Sequence, residues 1–510
     1  MDLSSEFSRL FTSNHAPSEG EIKSIGQKIS ALEQKIDTIN ASNLELPRLK
    51  RERQAHQGLL SATRRIPVDV VGEILIFAIG GGALTGQDRK RVTDLCLVSR
   101  TWREAAMVTH CLWVSYELKM PCHPQDCEYA ESWLKRSGCM AKTLSIDYPP
   151  DSSVFKYWAL STPNLIKFLK DGPTLQSIVI SCDSPSPLRN LMQGLWTSTP
   201  GESLPWASVN FFRVDVRTDW EEHGQSGRTS TFLQYLPPIP SFHFDIPSFR
   251  PENDHGMTLH IPQKFLVQLT AFTFGCDWDI AKLLRVLQLC ENLVALTLDF
   301  KAHDLANPLD DEWLDNIYAP DNNIVLPRLQ TLRLRRLPLD GLQISGFIQL
   351  PALSTLDISF DVGADGAHTS ATVREVLDMK SGQFADDLVD FLQRSSCRIL
   401  RFRLHAVKLG ADDLEYILQS EELSSLSRLT LDRVDIPSSF FDALSIRLDT
   451  GLPLVDLAHI ELFHLPYGFS LHPVQAYART RKVLSSAATT AATTNLNEPL
   501  PLADTHIEIK

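Results

Sequence analysis

Arginines at alternate positions are the residues whose spacing most invites chemistry. Arg333 and Arg335 follow Thr331, Arg401 and Arg403 precede His405, and Arg428, Thr430 and Asp432 repeat the rhythm. A guanidinium fork matches phosphate and carboxylate oxygens, so Arg333, Arg335, Arg401, Arg403 and His405 are candidates for gripping an acidic or phosphorylated segment. A second reading puts Asp357 between Arg333 and Arg403 in a cross-strand charge ladder, which explains the pattern without a ligand. Reactive groups elsewhere lack partners at working distances. His110, Cys111, Cys122, His123 and Cys127 lie close together in sequence but lack the paired Cys-x-x-Cys of a structural zinc site. Gly80-Gly81-Gly82 lacks the Lys-Ser/Thr of a phosphate cradle and reads as a connector. Asp310-Asp311-Glu312 and Glu421-Glu422 fit solvated faces or helix starts better than paired acid and base. With no Gly-x-Ser-x-Gly elbow either, no catalytic, cofactor or metal residue is nominated, and the chain is expected to be a non-enzyme.

The element that must hold those arginines is a hexad, L-x-x-L-x-L, recurring from about Cys139. Clear copies are Leu293-Leu296-Leu298, Leu329-Leu332-Leu334, Leu353-Leu356-Ile358 and Leu426-Leu429-Leu431. Looser copies are Leu175-Ile178-Ile180, Leu269-Phe272-Phe274, Ile399-Phe402-Leu404 and Leu457-Ile460-Leu462. Alternating apolar residues form a strand, and Ile280 to Leu289 and Asp386 to Arg394 between hexads read as helix. This resembles the strand, turn and return helix of leucine-rich repeats. From Leu269 onward the copies are irregular, roughly 24 to 46 residues apart, and they mostly lack the Asn or Cys that usually follows. The expectation is an α/β chain with an irregular repeat solenoid and curved parallel sheet over 139–470. Polar stretches at Asp215–Gly227 and Asp361–Ser370 would be insertions, and a low-complexity tail at 482–510 and residues 1–17 would be flexible.

Upstream, Ser18-Glu19-Gly20-Glu21 fits a capping box. Ile22, Ile29 and Ile36 then occupy heptad a positions, and Ile25, Leu32 and Ile39 occupy d. Asn43 and Leu46 continue the seam and Pro47 ends the run. Over 18–61 this is a coiled-coil helical segment. Residues 22–46 could join two copies, with Lys28 and Glu33 paired across the dimer, or pack on their own chain, since so short a coil is marginal alone.

Between coil and repeats, Pro67 suits a helix's first turn, and Val70, Val71, Ile74 and Leu75 share one face. A second helix is read through Val92, Leu95, Cys96, Val98 and Trp102, and Leu112-Trp113-Val114 closes the unit. About 50 residues cannot hide that much apolar surface, so a partner or an attached domain is implied. The series Ile66-Pro67-Val68-Asp69-Val70-Val71 with Ile74-Leu75, then Val98-Ser99-Arg100-Thr101-Trp102-Arg103, then Thr109-His110-Cys111-Leu112-Trp113, resembles the F-box. The family pattern is Leu-Pro-x-Glu-Ile-Leu-x-x-Ile-Phe, Val-Cys-Arg-x-Trp-Arg and Thr-Pro-x-Leu-Trp. The coil leading into Arg64-Arg65 looks most like the large fungal families. Asp69, Ser99 and His110 depart from the pattern, as does the long Gly80–Gly86 loop.

The resemblance implies a three-helix F-box over 64–115 that binds a Skp-type linker and, through it, a cullin ligase core. Carried over by position, Pro67, Val70, Val71, Ile74, Leu75, Leu95, Val98 and Trp102 would make or support that interface, about half of them by filling the module's own core. The expected role is substrate receptor of an SCF-type ubiquitin ligase, the repeats holding a protein target. A partner-binding scaffold that recruits no cullin is the alternative. Bulk properties agree with either role. A net charge of −13 disfavours nucleic-acid coating, no apolar stretch approaches a bilayer span, and nine cysteines without an export signal suit cytosol or nucleus.

Overall fold

A computed structural model describes residues 7–12, 16–39, 45–61, 66–80, 84–149, 155–198, 208–217, 232–236, 238–246, 261–276, 280–300, 324–337, 341–360, 371–407, 409–434, 436, 440–442, 444, 456–465, 469–479 and 506–509. The chain divides into two compact units, residues 1–147 with 151–178, and residues 148–150 with 179–510. Among the described residues no helix is long and apolar enough to cross a membrane.

The first unit opens with helices α1 (Ser8–Thr12), α2 (Glu19–Thr38) and α3 (Leu46–Leu59). The capping box forms as expected: Ser18 N donates to Glu21 Oε2 at 2.8 Å, and Glu21 N donates to Ser18 Oγ at 3.4 Å. The heptad d residues Ile25 and Leu32 are buried, and α2 packs on α3 of its own chain. Ile25 meets Leu59 and the α1 segment's Phe7 and Leu10. Flexibility of the whole 1–17 stretch is therefore corrected: Phe7 and Leu10, one turn apart, gain more by burial than the short helix loses in entropy. Asn43 lies outside the described residues.

Helices α4 (Val68–Ile79), α5 (Gly86–Cys96) and α6 (Arg100–Val108) follow, with a 3₁₀ turn at His110–Trp113. The second apolar stripe is two helices rather than one. Leu97 and Val98 turn, and Ser99 restarts the chain by capping Trp102 N at 3.3 Å. The N-cap position suits Ser, whose hydroxyl replaces a missing carbonyl partner. Gly72 lets α4 sit against Thr109, since a Cβ there would lie 2.7 Å from Thr109 Oγ1. Trp113 is buried, donates Nε1–H to Ala106 O at 2.7 Å and meets Trp133 of α7 (Pro124–Lys135) at 4.5 Å. Strands β1 (Ser115–Lys119) and β2 (Thr143–Asp147) pair in parallel.

The strands that follow are β3 (Ser177–Cys182), β4 (Phe211–Val216), β5 (Ser241–Asp245), β6 (Ala271–Cys276), β7 (Ala295–Phe300), the short β8 (Ile324–Val325), β9 (Thr331–Leu337), the short β10 (Ile348–Gln349), β11 (Thr355–Phe360), β12 (Arg401–His405), β13 (Arg428–Asp432), β14 (His459–Phe463) and β15 (His506–Ile509), and the eight hexads land on β3, β6, β7, β9 and β11 to β14. From β4 to β15 the long strands pair in parallel in chain order, while β8 and β10 pair separately. The three apolar residues of all eight hexads are buried. The result is a mixed α/β fold with a large parallel sheet, consistent with a solenoid-like repeat. Helices over Ile280–Leu287 and Ala371–Ser395 occupy the segments read as helical.

Two strands escaped the hexad reading. Val209-Phe212-Val214 and Ile239-Phe242-Phe244 fill the same positions, and all six side chains are buried. Phe242 stacks on Phe212 at 6.2 Å and on Phe272 at 6.1 Å, an aromatic ladder where other repeats use leucine. Asp215 and Val216 thus belong to β4, not to an insertion; 218–227 and Asp361–Ser370 lie outside the described residues. In the tail, 506–509 pair with β14, and 480–505 lie outside the described residues.

A backbone device replaces the missing Asn. Ala406, Arg433 and His464 follow their strands with φ of 60°, 54° and 50°, in the left-handed region. The turned chain aims its N–H groups at the next strand. Ala406 N donates to Asp432 O at 2.8 Å and Arg433 N to Phe463 O at 3.0 Å. Each such bond offsets the strain of a left-handed residue with a Cβ, about 1–2 kcal/mol.

Candidate functional site

Each unit carries one candidate surface. In the first, α4 divides its apolar residues between two faces. Val71 and Leu75 are wholly buried, whereas Val70 is 44% exposed, Ile74 38% and Phe77 92%. Positions 70, 74 and 77 follow helical spacing and so form one outward row. Pro67 is also exposed, and the turn between α5 and α6 leaves Leu97 and Val98 68% and 59% exposed. Leu95 and Trp102 are half-buried. Of the eight positions nominated from the sequence, Pro67, Val70, Ile74 and Val98 face solvent, Val71 and Leu75 are core, and the other two lie between.

Phe77 was missed, although it is the most exposed large apolar side chain described. The signal was present. Phe77 continues the 70, 74 spacing, two residues beyond the Ile74-Leu75 on which the family pattern's closing Ile-Phe falls. A solvent-facing phenylalanine costs roughly 1.5–3 kcal/mol relative to a buried one, so a row containing it calls for a cover.

In the second unit, strand register places Thr297, Arg333, Asp357, Arg403, Thr430 and Glu461 in one row across β7, β9, β11, β12, β13 and β14. Asp357 does lie between Arg333 and Arg403, as the ladder reading expects. Among the described residues no ion pair joins Asp357 to either arginine, and Arg403 Nη2 instead meets Asp432 Oδ2, in the adjoining row with His405, at 3.0 Å. Arg428 Nε lies 3.8 Å from Glu461 Oε1, which also accepts from Thr430 Oγ1, through Oε2, at 2.7 Å.

Asp432 is the hub. His464 Nδ1 lies 2.9 Å from its Oδ1, and His405 Nε2 lies 3.9 Å from its Oδ2. Burial opposes its ionisation, but hydrogen bonds from His464 and Arg403 outweigh burial and hold the carboxyl below its ordinary range. His405 also contacts Ser359 Oγ through Nδ1 at 3.0 Å. Burial lowers the His405 pKa, with Asp432 opposing that and Arg403 and Arg433 adding to it. Serine, histidine and aspartate here run in sequence across β11, β12 and β13, but the 3.9 Å gap and the competing Arg403 leave Asp432 committed to structure rather than to activating His405. Of the nominated set, Arg403 and His405 are therefore engaged locally. Arg335 and Arg401 are exposed and Arg333 half-exposed, with no ion pair among the described residues.

No family model matches this chain, and no curated protein matches it. Among solved structures, a crystal structure of a Bacteroides fragilis protein is 13% identical over 55% of this chain and 70% of that chain, with a TM-score of 0.25. A likeness that slight has no bearing on function.

Proposed function

We propose that the protein is a non-catalytic adaptor: an F-box over 64–115 docks a Skp-type linker and cullin ligase core, and a leucine-rich-repeat-like second unit holds a protein target for ubiquitylation. The observation that carries the reading is the outward row Val70, Ile74 and Phe77 on a helix whose opposite face is fully used by the core. An amphipathic helix has no need of a second apolar face unless something covers it, and buried aromatics dominate such interfaces. The F-box resemblance supplies the identity of the cover. Chemistry would come from proximity, with the linker and cullin holding the charged enzyme near the target.

On the target side, Arg333, Arg335 and Arg401 are the cations left over from local pairing, and they favour an acidic or phosphorylated segment. Replacing Arg333 and Arg401 together by Glu should abolish target capture while leaving the melting temperature unchanged.

The decisive experiment is co-purification of the full chain with a Skp-type linker, beside a Pro67→Ala, Ile74→Asp, Trp102→Ala variant and a Phe77→Asp variant. Association by the parent, lost in both variants while their circular dichroism is retained, supports the adaptor. A folded parent that captures no linker refutes it and leaves a partner-binding scaffold as the better reading.

A further inference from the structure

We infer that Asp215, His243 and Asp245 form a binding site for one divalent cation of the zinc class, on the polar side of strands β4 and β5. The ligand atoms of the three residues all lie within 4.8 Å of one another. Neighbouring ligands around a tetrahedral zinc sit roughly 3.3–3.5 Å apart, given bonds of about 2.0–2.2 Å, so side-chain rotation of about 1 Å completes the site. The strands already bring the three residues together, so the adjustments needed are that rotation and the release of Asp215 from Arg213. Asp215 pairs in register with Asp245, and His243 stands two residues before Asp245 on the same strand and face. On the opposite face Phe242 and Phe244 are locked into the aromatic ladder, which fixes the backbone carrying both β5 ligands.

One neighbouring feature makes room for the seat and another limits it. Beyond Asp245 in the row comes Gly275 of β6, the one position in β6 without a side chain. A Cβ there would lie 3.0 Å from Asp245 Oδ1 and 3.2 Å from Cγ, so glycine is what allows the carboxylate its place beside His243. A positive group already borders the trio: Arg213 Nε donates to both Asp215 oxygens, at 2.8 and 3.0 Å, with Ser181 Oγ 3.3 Å from Oδ2. The guanidinium competes with a metal for Asp215, which makes it a built-in limit on affinity.

An imidazole nitrogen with two carboxylates selects first-row divalent ions over calcium or magnesium, which prefer all-oxygen shells. Three protein ligands leave a fourth tetrahedral position for water or for a donor on a bound protein. The inference does not depend on the adaptor reading.

The test is titration of the full-length chain with Zn2+ against a chromophoric chelator, followed by Co2+ absorption. His243→Asn and Asp245→Asn should each weaken one binding event at least tenfold. Arg213→Met should strengthen the same event several-fold, an outcome that misfolding cannot mimic. Co2+ at this site should show weak visible bands without the intense near-ultraviolet band of thiolate ligation. Binding unchanged in His243→Asn and Asp245→Asn, weakening in Arg213→Met, or a thiolate band reporting the cysteines instead, would overturn the site.

Discussion

Replacing Phe77 with alanine separates a docking role from a folding role more cleanly than any other change in the first unit. The side chain is 92% exposed, so its removal takes almost nothing from the folded chain's own packing. Covering it with a partner would withdraw most of a phenylalanine from water, about 2–3 kcal/mol at the usual value per unit of apolar area. At 1.4 kcal/mol per decade, that predicts a loss of about 30- to 150-fold in linker affinity. Val70 and Ile74 are already more than half covered, so alanine at either should cost only about 1 kcal/mol, or about fivefold. Leu75, with no exposure, behaves oppositely: Leu75→Ala opens a cavity and should cost about 2–5 kcal/mol of stability. Isothermal titration against a Skp-type linker, with thermal unfolding of each variant alone, reads both quantities. The reasoning fails if Phe77→Ala binds like the parent, or if it lowers the melting temperature as Leu75→Ala does.

Three further outcomes follow from named contacts. Asp432→Asn should cost about 1–2 kcal/mol at pH 7, the worth of charge-assisted bonds from the half-exposed Arg403 and the more exposed His464. Because the folded carboxyl titrates below its unfolded value, this stabilisation is complete above about pH 5 and is lost as pH falls through the folded pKa. Parent and variant stabilities should therefore converge as pH falls through the folded pKa, below the ordinary aspartate range, and a constant gap would show that the carboxylate charge is irrelevant. Gly72→Ala should destabilise the first unit by about 1–3 kcal/mol by forcing α4 off Thr109, and Thr109→Ala in the same chain should recover most of that. Ile25→Ala should cost about 2–4 kcal/mol with a melting temperature independent of protein concentration. A concentration-dependent one would place the heptad seam between chains instead of on α3.

The strands were legible because burial imposes a period of two that leucine makes conspicuous. Where phenylalanine serves the same positions, at 212, 242 and 244, the period persists but the composition changes, and those repeats went unread. Restoring them gives spacings near 30 residues between 209 and 269, ordinary for one strand and its return. The charge ladder was half legible. Register is set by the buried residues, so Asp357 could be placed between Arg333 and Arg403. Which acid each arginine chooses depends on side-chain reach, and Arg403 turns to Asp432, whose position is also favoured by His464 from a left-handed turn that no periodicity announces. The metal trio was invisible for a related reason: Asp215 and His243 are 28 positions apart, and only the register of β4 with β5 makes them neighbours.

The helical surface poses the harder problem, because apolar residues on α4 surround too much of the helix for hydropathy to tell core from interface. Val70 and Val71 are adjacent and chemically identical, yet one faces solvent and the other is fully buried. What separates them is Gly72. By letting Thr109 approach α4 on that side, it commits the face of Val71 and Leu75 to α6 and its following turn, and turns Val70, Ile74 and Phe77 outward. A larger residue at 72 would hold that side of α4 away and weaken the distinction between the two faces. The orientation of the proposed docking row therefore rests on a glycine that touches no partner, and Gly72→Ala should weaken linker binding as well as stability, by an amount that Thr109→Ala restores for both together.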